Sequence, residues 1–340
     1  MTVGVSTDSA TAAGRLDEIV RAALAMASDG TADALERADM LTEIAMGLQR
    51  RPKTPDHLRA AVQLYDRALS LCPDAEGLPR ARILARKATA LQAIPDMGDA
   101  PVEEARAAYA EAIPVLERDG RPEEVAEAEM NLGLVLHHLA GSGRAPLTEA
   151  IAAYQRSLRT FDRARYPVEF AILQNNLATA FLSIPLTDER AKVREAMAVQ
   201  CFEEALKVVT LVDHPSEYAM LQNNLGNALQ YASSSHAVEN NIRAIAAYDE
   251  ALRVRTRERA PVEYANTISN KANCLWNLPD DPERPERGNA ANLRLARDCY
   301  SEAREIFAAH GEAEKARIVA EALDQIERDM LAQLSEGAAG

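Results

Sequence analysis

The sequence predicts an all-α fold, a tandem stack of about six helical hairpins with a capping helix at each end. Three observations predict it: similar segments return about every 45 residues, each segment holds two stretches of helix length, and the second stretch repeats a small–aromatic–small spacing. Apolar residues make up 47% of the 340 residues, and aromatic residues make up only 4%. This composition suits helices packed closely through small side chains and argues against a β-sandwich or barrel.

The predicted elements follow one another along the chain. Residues 1–14 are expected to be disordered, and Arg15–Ser28 is expected to form an N-terminal capping helix. A charged C-terminal capping helix is expected over 312–334, before a frayed tail at 335–340. Because each repeat buries its apolar face on its neighbours, 15–334 is predicted to be a single domain. The repeats are expected at 31–76, 77–121, 122–166, 167–214, 215–260 and 261–311.

The second helix of each repeat carries an aromatic ring between two small residues. One small residue lies four positions before the ring, and another lies three positions after it. Positions i, i+4 and i+7 share one face of a helix, so the small residues let a neighbouring helix approach while the ring fills the gap. The rings are Tyr65, Tyr109, Tyr154, Phe202, Tyr248 and Tyr300.

The first helix of four repeats has its own start signal, a proline followed two residues later by a glutamate. A proline at the first helical position loses no hydrogen bond, since that N–H would be unpaired anyway. A glutamate in the first turn interacts favourably with the positive end of the helix dipole. These glutamates are therefore interpreted as structural rather than catalytic. The pairs are Pro122 and Glu124, Pro167 and Glu169, Pro215 and Glu217, and Pro261 and Glu263.

These features resemble those of tetratricopeptide repeat (TPR) proteins, whose paired helices cross at small residues. The resemblance covers residues 31–330, but the repeats are about 45 residues long, against the usual 34. It implies a right-handed superhelical α-solenoid whose first helices line a concave groove, and a protein-binding scaffold rather than an enzyme. An α/α-toroid enzyme, which also repeats helical hairpins, is the alternative fold.

Asparagines recur on the first helices. Asn131, Asn176, Asn224 and Asn270 stand two residues before the small residue in four successive repeats. Asparagine within a helix costs roughly several tenths of a kcal/mol relative to alanine, so a column of four indicates a compensating interaction. Further amides flank this column at Asn175, Asn223, Asn227 and Asn273.

Two interpretations of the column are open. Each amide could bond to the neighbouring repeat and hold the stack together. Alternatively, the amides could form a ladder that binds the main chain of an extended peptide, since an amide offers both a donor and an acceptor. The column resembles the asparagine ladders of kinesin-light-chain-type TPR grooves, which implies a groove for a partner segment between Asn131 and Trp276.

Other candidate groove residues lie near the column. His137, Gln230 and Trp276 lie one turn after the small residue of their helices, and Trp276 is either a core residue or an aromatic anchor. His137 and His138 have no further ligand at metal-binding spacing, so no metal site is predicted. Near the start of the chain, Arg82 and Arg86, with Lys87, could imitate the carboxylate clamp of chaperone-binding TPR proteins.

Charge and motifs restrict the function further. A formal net charge of −14 makes nucleic acid and anionic membranes improbable partners, and it favours a basic or neutral protein or peptide. The four cysteines form no CxxC pair, and no phosphate loop, HExxH or GxSxG motif occurs, so neither a cofactor nor catalysis is predicted. A regulatory protein that senses a ligand or peptide is the alternative function. The oligomeric state is left open.

The expected location is the cytoplasm. The sequence has no run of about 18 apolar residues and no signal-peptide pattern at its start. Four cysteines without ordered spacing are typical of buried thiols in a reducing compartment. Arginine outnumbers lysine, which weakly suggests a bacterial source.

Overall fold

The computed structural model describes residues 5–29, 32–73, 76–95, 98–185, 190–232 and 236–339. Within these ranges the chain forms fourteen α-helices, one short 3₁₀ helix and no β-strand, which confirms the predicted all-α fold. No helix in the same ranges is long and apolar enough to cross a membrane.

The helices are α1 (Val5–Ser28), α2 (Ala34–Arg50), α3 (Pro55–Leu71), α4 (Gly77–Gln92), α5 (Asp99–Asp119), α6 (Pro122–Gly141), α7 (Leu147–Ser157), α8 (Pro167–Ser183), α9 (Ala191–Leu206), α10 (Pro215–Gln230), α11 (Ala237–Leu252), α12 (Pro261–Trp276), α13 (Ala290–Ala309) and α14 (Ala313–Ala339). Successive helices pack as six hairpins, α2 with α3, α4 with α5, α6 with α7, α8 with α9, α10 with α11, and α12 with α13. The helix α1 packs on the first hairpin and α14 packs on α13.

The terminal helices are longer than expected. The helix α1 begins at Val5 rather than at Arg15, and α14 continues to Ala339 instead of ending at residue 334. The structure describes residues 5–14 as part of α1, residues 1–4 lie outside the described ranges, and the expected disorder of the N-terminus stays a prediction. No proline occurs in either helix, so the sequence contains no strong terminator there.

The chain divides into two compact units, residues 1–162 and residues 163–340, where the sequence predicts one domain over 15–334. The boundary falls in the turn between α7 and α8. In a tandem array each hairpin packs mainly on its neighbours, so the chain can divide between two repeats without splitting a common core. The first unit contains α1 to α7, and the second contains α8 to α14.

The small–aromatic–small pattern forms the interior of every hairpin. All twelve small residues that flank the rings are fully buried, and the rings are buried with them. Ser157 is the one polar member of this set, and its hydroxyl donates to the carbonyl oxygen of Ala126 at 2.7 Å. In two hairpins the opposing helix places a glycine against the ring, Gly133 at Tyr154 and Gly226 at Tyr248.

The first helices begin as expected. Proline is the first residue of α6, α8, α10 and α12, and the predicted glutamate lies in the first turn of each. At α6, the carboxylate of Glu124 accepts a hydrogen bond from the backbone N–H of Arg121 at 2.9 Å. This contact satisfies a donor that the start of a helix leaves unpaired.

Candidate functional site

The candidate residues divide between the two units. Arg82 and Arg86 lie on α4 of the first unit, where α6 carries Asn131 and His137. The remaining candidates lie on the first helices of the second unit and are partly buried or buried. They are Asn175 and Asn176 on α8, Asn223, Asn224, Asn227 and Gln230 on α10, and Asn270, Asn273 and Trp276 on α12.

Three amides of the second unit connect neighbouring repeats. The side-chain nitrogen of Asn224 donates to the side-chain oxygen of Asn175 on α8 at 3.2 Å. The buried oxygen of Asn223 accepts from the hydroxyl of Thr267 on α12 at 3.1 Å. These bonds join residues 49 and 44 positions apart, so they hold successive hairpins in register. Asn175, Asn223 and Asn224 therefore follow the first interpretation of the asparagines, in which the amides bond to the neighbouring repeat.

Two other candidates hold a buried ring in place. The hydroxyl oxygen of Tyr248 lies 2.7 Å from Oδ1 of Asn227 and 2.8 Å from Oε1 of Gln230. The hydroxyl carries one proton, which it donates to one or the other of these two amide oxygens. Asn227 and Gln230 therefore satisfy a phenol inside the hairpin, and the proposal below does not use them.

A polar residue of the first helix also bonds to the ring hydroxyl in two other repeats, a relation that the sequence interpretation missed. The Tyr65 hydroxyl donates to Gln49 at 2.8 Å, and the Tyr109 hydroxyl lies 2.8 Å from that of Thr89. Phe202, the ring without a hydroxyl, belongs to the hairpin whose first helix carries Leu182 at the corresponding position. The signal was present in the sequence for two of these bonds, because Gln49 and Gln230 stand at the same position opposite a tyrosine. The residues at this position are Gln49, Gln92, His137, Leu182, Gln230 and Trp276.

We expect Tyr248→Phe and Tyr154→Phe to have different effects on stability. Tyr248→Phe removes the partner of two partly buried amides and should lower the free energy of unfolding by about 1 to 2 kcal/mol. The buried hydroxyl of Tyr154 forms no hydrogen bond within the described residues. Its removal should be neutral or stabilising, since the phenol no longer has to be desolvated unpaired. Urea unfolding of both variants measures the difference, and equal losses would contradict the assigned hydrogen bonds.

Trp276 is fixed by the C-terminal helix. Its indole N–H donates to Asp329 of α14 at 2.9 Å, and its carbonyl oxygen accepts from Asn289 at 2.8 Å. The ring also packs on the buried cluster that α12, α13 and α14 share. Of the two interpretations of Trp276, these contacts favour the core residue over the free aromatic anchor.

Three members of the column keep hydrogen-bonding groups that no protein atom uses. Asn176, Asn224 and Asn270, on α8, α10 and α12, are hereafter called the amide face. The side-chain nitrogen of Asn176 is buried and has no partner within the described residues. Asn270 forms no side-chain hydrogen bond in those ranges, and Asn224 uses its nitrogen alone. One turn earlier on their helices, Ile172 and Met220 are 43% and 38% exposed, so apolar contact area adjoins the amides.

In the first unit, a pocket of about 140 Å³ brings Arg82, Arg86 and Asn131 together. Arg82 is already bound, since its Nε and Nη2 donate to the carboxylate of Glu124 at 2.8 and 3.1 Å. Burial opposes the ionisation of Glu124, but these hydrogen bonds outweigh it and hold the pKa of Glu124 below its ordinary value. Lys87 contacts Asp66 and Glu104, both at 2.5 Å. Arg82 and Lys87 therefore do not form a free carboxylate clamp.

The described residues contain no group of three histidine, cysteine or acidic side chains that could hold a metal ion. Burial lowers the pKa of His137, so this imidazole is neutral at physiological pH. Burial also raises the pKa of the Cys201 thiol to about 11 and that of Cys274 to about 12. Thiols with such pKa values are poor nucleophiles at neutral pH.

No protein-family model and no curated protein sequence matches this chain. Solved structures that are similar to it include two complexes. The complex of the TPR2AB domain of yeast Sti1 with pHSP90 has a TM-score of 0.29 at 17% identity, covering 86% of this chain and 99% of that chain. A Rap protein complexed with Competence and Sporulation Factor has a TM-score of 0.39 at 15% identity, covering 87% and 81%. Both TM-scores lie below 0.5, so the proposals below depend on contacts within this chain.

Proposed function

We propose that the protein is a binding scaffold whose amide face holds an extended segment of a partner protein. The observation that carries the proposal is that some amide groups of these asparagines bond to the protein while others have no partner within the described residues. Asn175 donates to Asn176 at 3.4 Å and accepts from Asn224 at 3.2 Å, so the three side chains form one hydrogen-bonded chain. This chain ends in the unpaired N–H group of Asn176 and in the unused oxygen of Asn224. A peptide unit presents the complementary acceptor and donor.

The buried nitrogen of Asn176 supports a ligand at this position. Most buried polar side-chain atoms in native proteins have a partner, and leaving one unpaired costs about 1 to 3 kcal/mol. Because this nitrogen has almost no solvent-accessible area, the Asn176 side chain must rotate before a main-chain carbonyl of a bound segment can supply the missing acceptor. Because the recognised groups belong to the main chain, the binding should tolerate many sequences.

The amides cannot supply the whole affinity. Each hydrogen bond contributes about 0.5 to 1.5 kcal/mol net, and a dissociation constant of 1 μM requires about 8.2 kcal/mol. The exposed side chains of Ile172 and Met220 must therefore contribute by burying apolar area, and micromolar or weaker binding is expected. The net charge of −14 and the exposed first-turn carboxylates of Glu217 and Glu263 favour a neutral or basic segment.

We expect the double variant Asn176→Ala/Asn224→Ala to bind peptides at least about tenfold more weakly, because both ends of the amide chain are removed. The probe is a peptide selected by the wild-type chain from a random displayed library, then synthesised with capped ends. Isothermal calorimetry measures its affinity. A copy with N-methylated main-chain amides should also lose binding, since the proposed contacts involve the main chain.

The matched control is Asn223→Ala, the same change at the adjacent residue of α10. The Asn223 amide is engaged with Thr267, so this variant should lose stability while its affinity stays close to that of the wild type. The double variant should lose little thermal stability, because the helix propensity gained at two alanines offsets the lost hydrogen bonds of Asn175 to Asn176 and Asn224. Wild-type affinity in the double variant, or loss of its fold, would contradict the proposal.

A further inference from the structure

The pocket of the first unit contains a cation without a counter-ion. It lies between α4 and α6, with Tyr109 of α5 in its wall, and Arg86, Thr89 and Asn131 line it. Arg86 is partly buried and forms no ion pair or hydrogen bond within the described residues. A partly buried guanidinium gives up part of its hydration, and an anion beside it would compensate for that loss. Arg86 is therefore available to an anion that enters the pocket.

The other charged groups of the pocket are already committed or exposed. Arg82 is bound to Glu124, and the exposed Arg121 also approaches Glu124, with 3.6 Å between its Nε and Oε2. Glu127 lies on the same wall and is exposed to solvent. The pocket thus holds three guanidinium groups and two carboxylates, so one further negative charge would balance it.

The size and the donors of the pocket restrict the anion. A volume of about 140 Å³ accommodates one small side chain rather than a folded element. Arginine presents two parallel N–H donors that match the two oxygens of a carboxylate. The amide of Asn131, which forms no side-chain hydrogen bond within the described residues, can bond to the adjacent main chain.

We propose that this pocket binds the side-chain carboxylate of a single aspartate or glutamate within a partner segment. The inference shares with the proposed function only the premise that the ligand is a protein segment, and it uses no residue of the amide face. The overall charge of −14 repels a polyacidic segment. A segment that is neutral or basic overall but contains one acidic residue fits both the positive charge of the pocket and the negative net charge of the chain.

The test is a parallel peptide selection with the full chain. The wild type and Arg86→Met each select from a random library displayed internally, so that no peptide has a free C-terminus. The wild type should enrich peptides with an acidic residue at one fixed position, and Arg86→Met should not. A selected peptide, synthesised with capped ends, should bind Arg86→Met at least about tenfold more weakly. Replacing its acidic residue by the corresponding amide should cost the same factor against the wild type and little against Arg86→Met.

Other outcomes overturn the proposal. The proposal is wrong if Arg86→Met still selects peptides with an acidic residue, or if the wild type shows no preference for one. It is also wrong if binding requires a free terminal carboxylate. Arg86→Lys keeps the positive charge and should retain part of the affinity. If Arg86 acted only through the packing of the pocket, Arg86→Lys and Arg86→Met would weaken binding equally. If peptides bind through Asn176 and Asn224 without an acidic preference, only this inference fails. If no peptide is enriched, the proposed function fails with it.

Discussion

Arg156→Met is expected to lower the free energy of unfolding of the first unit by about 3 kcal/mol. Arg156 donates from Nε and Nη2 to the two carboxylate oxygens of Glu129, at 2.6 and 2.7 Å. The Glu129 side chain is 5% exposed, so removing the guanidinium leaves a carboxylate inside the hairpin of α6 and α7 without a counter-ion. Arg156 itself is 40% exposed, which places the loss at the lower end of the range for buried pairs. Urea unfolding at neutral pH measures it.

Substitution of the other member of the pair, Glu129, is the control, because Glu129 is buried and Arg156 is partly exposed. In Glu129→Met, the partly exposed guanidinium of Arg156 can turn to water, so the loss should be about 1 kcal/mol. The double variant Glu129→Met/Arg156→Met removes both charges of the pair and should recover most of the stability lost in Arg156→Met. Equal losses in the two single variants would show that water reaches Glu129.

The sequence predicted the hairpins because their pattern is local. Small residues four positions before and three positions after a ring lie on one helix face whatever the rest of the chain does. The rings, Tyr154 and Tyr248 among them, are accordingly buried where they were expected. The start of α6 was equally predictable, because Pro122 and Glu124 act within a single turn of the helix.

The roles of the individual amides could not be predicted in the same way. Asn175 and Asn176 are adjacent in sequence, yet Asn175 bonds to the next repeat while the nitrogen of Asn176 is unpaired. Which amide reaches the neighbouring helix depends on the rotation and spacing of α8 and α10, and repeat spacing does not encode these. The partner of Asn223 is Thr267, a residue that no motif singled out.

Charged residues show the same limit. The sequence interpreted Arg82, Arg86 and Lys87 as one possible carboxylate clamp. Instead, Glu124, 42 residues after Arg82, binds Arg82, while Arg86 forms no ion pair within the described part of the chain. The role of Glu124 at its helix start was predictable, whereas its second role as the counter-ion of Arg82 depends on the packing of α4 against α6. A contact of this kind, between residues far apart in the sequence, cannot be predicted from local patterns.

The second large effect is expected at Gly226, where alanine should lower the free energy of unfolding by about 1 to 2 kcal/mol. A Cβ atom at Gly226 would lie 2.5 Å from Cε1 of Tyr248, well inside van der Waals contact. The ring is fully buried and its hydroxyl is held by Asn227 and Gln230, so it cannot move without breaking these bonds. Overpacking costs about 1 to 3 kcal/mol, and it outweighs the gain in helix propensity of up to about 1 kcal/mol.

Gly47→Ala isolates the steric term, because it makes the same change within a helix at a position with no atom within 4 Å of the added methyl group. Only the propensity gain applies there, so this variant should be more stable by up to about 1 kcal/mol. The two substitutions should therefore shift the thermal midpoint in opposite directions. If Gly226→Ala also stabilises the protein, the ring can retreat from the helix, and close approach does not explain the glycine. Other hairpins have alanine at this position, Ala88 and Ala178 among them, so a pair of helices can be spaced widely enough for a methyl group. The expected cost at Gly226 therefore arises because α10 would have to move away from α11 while both helices are packed against their neighbours.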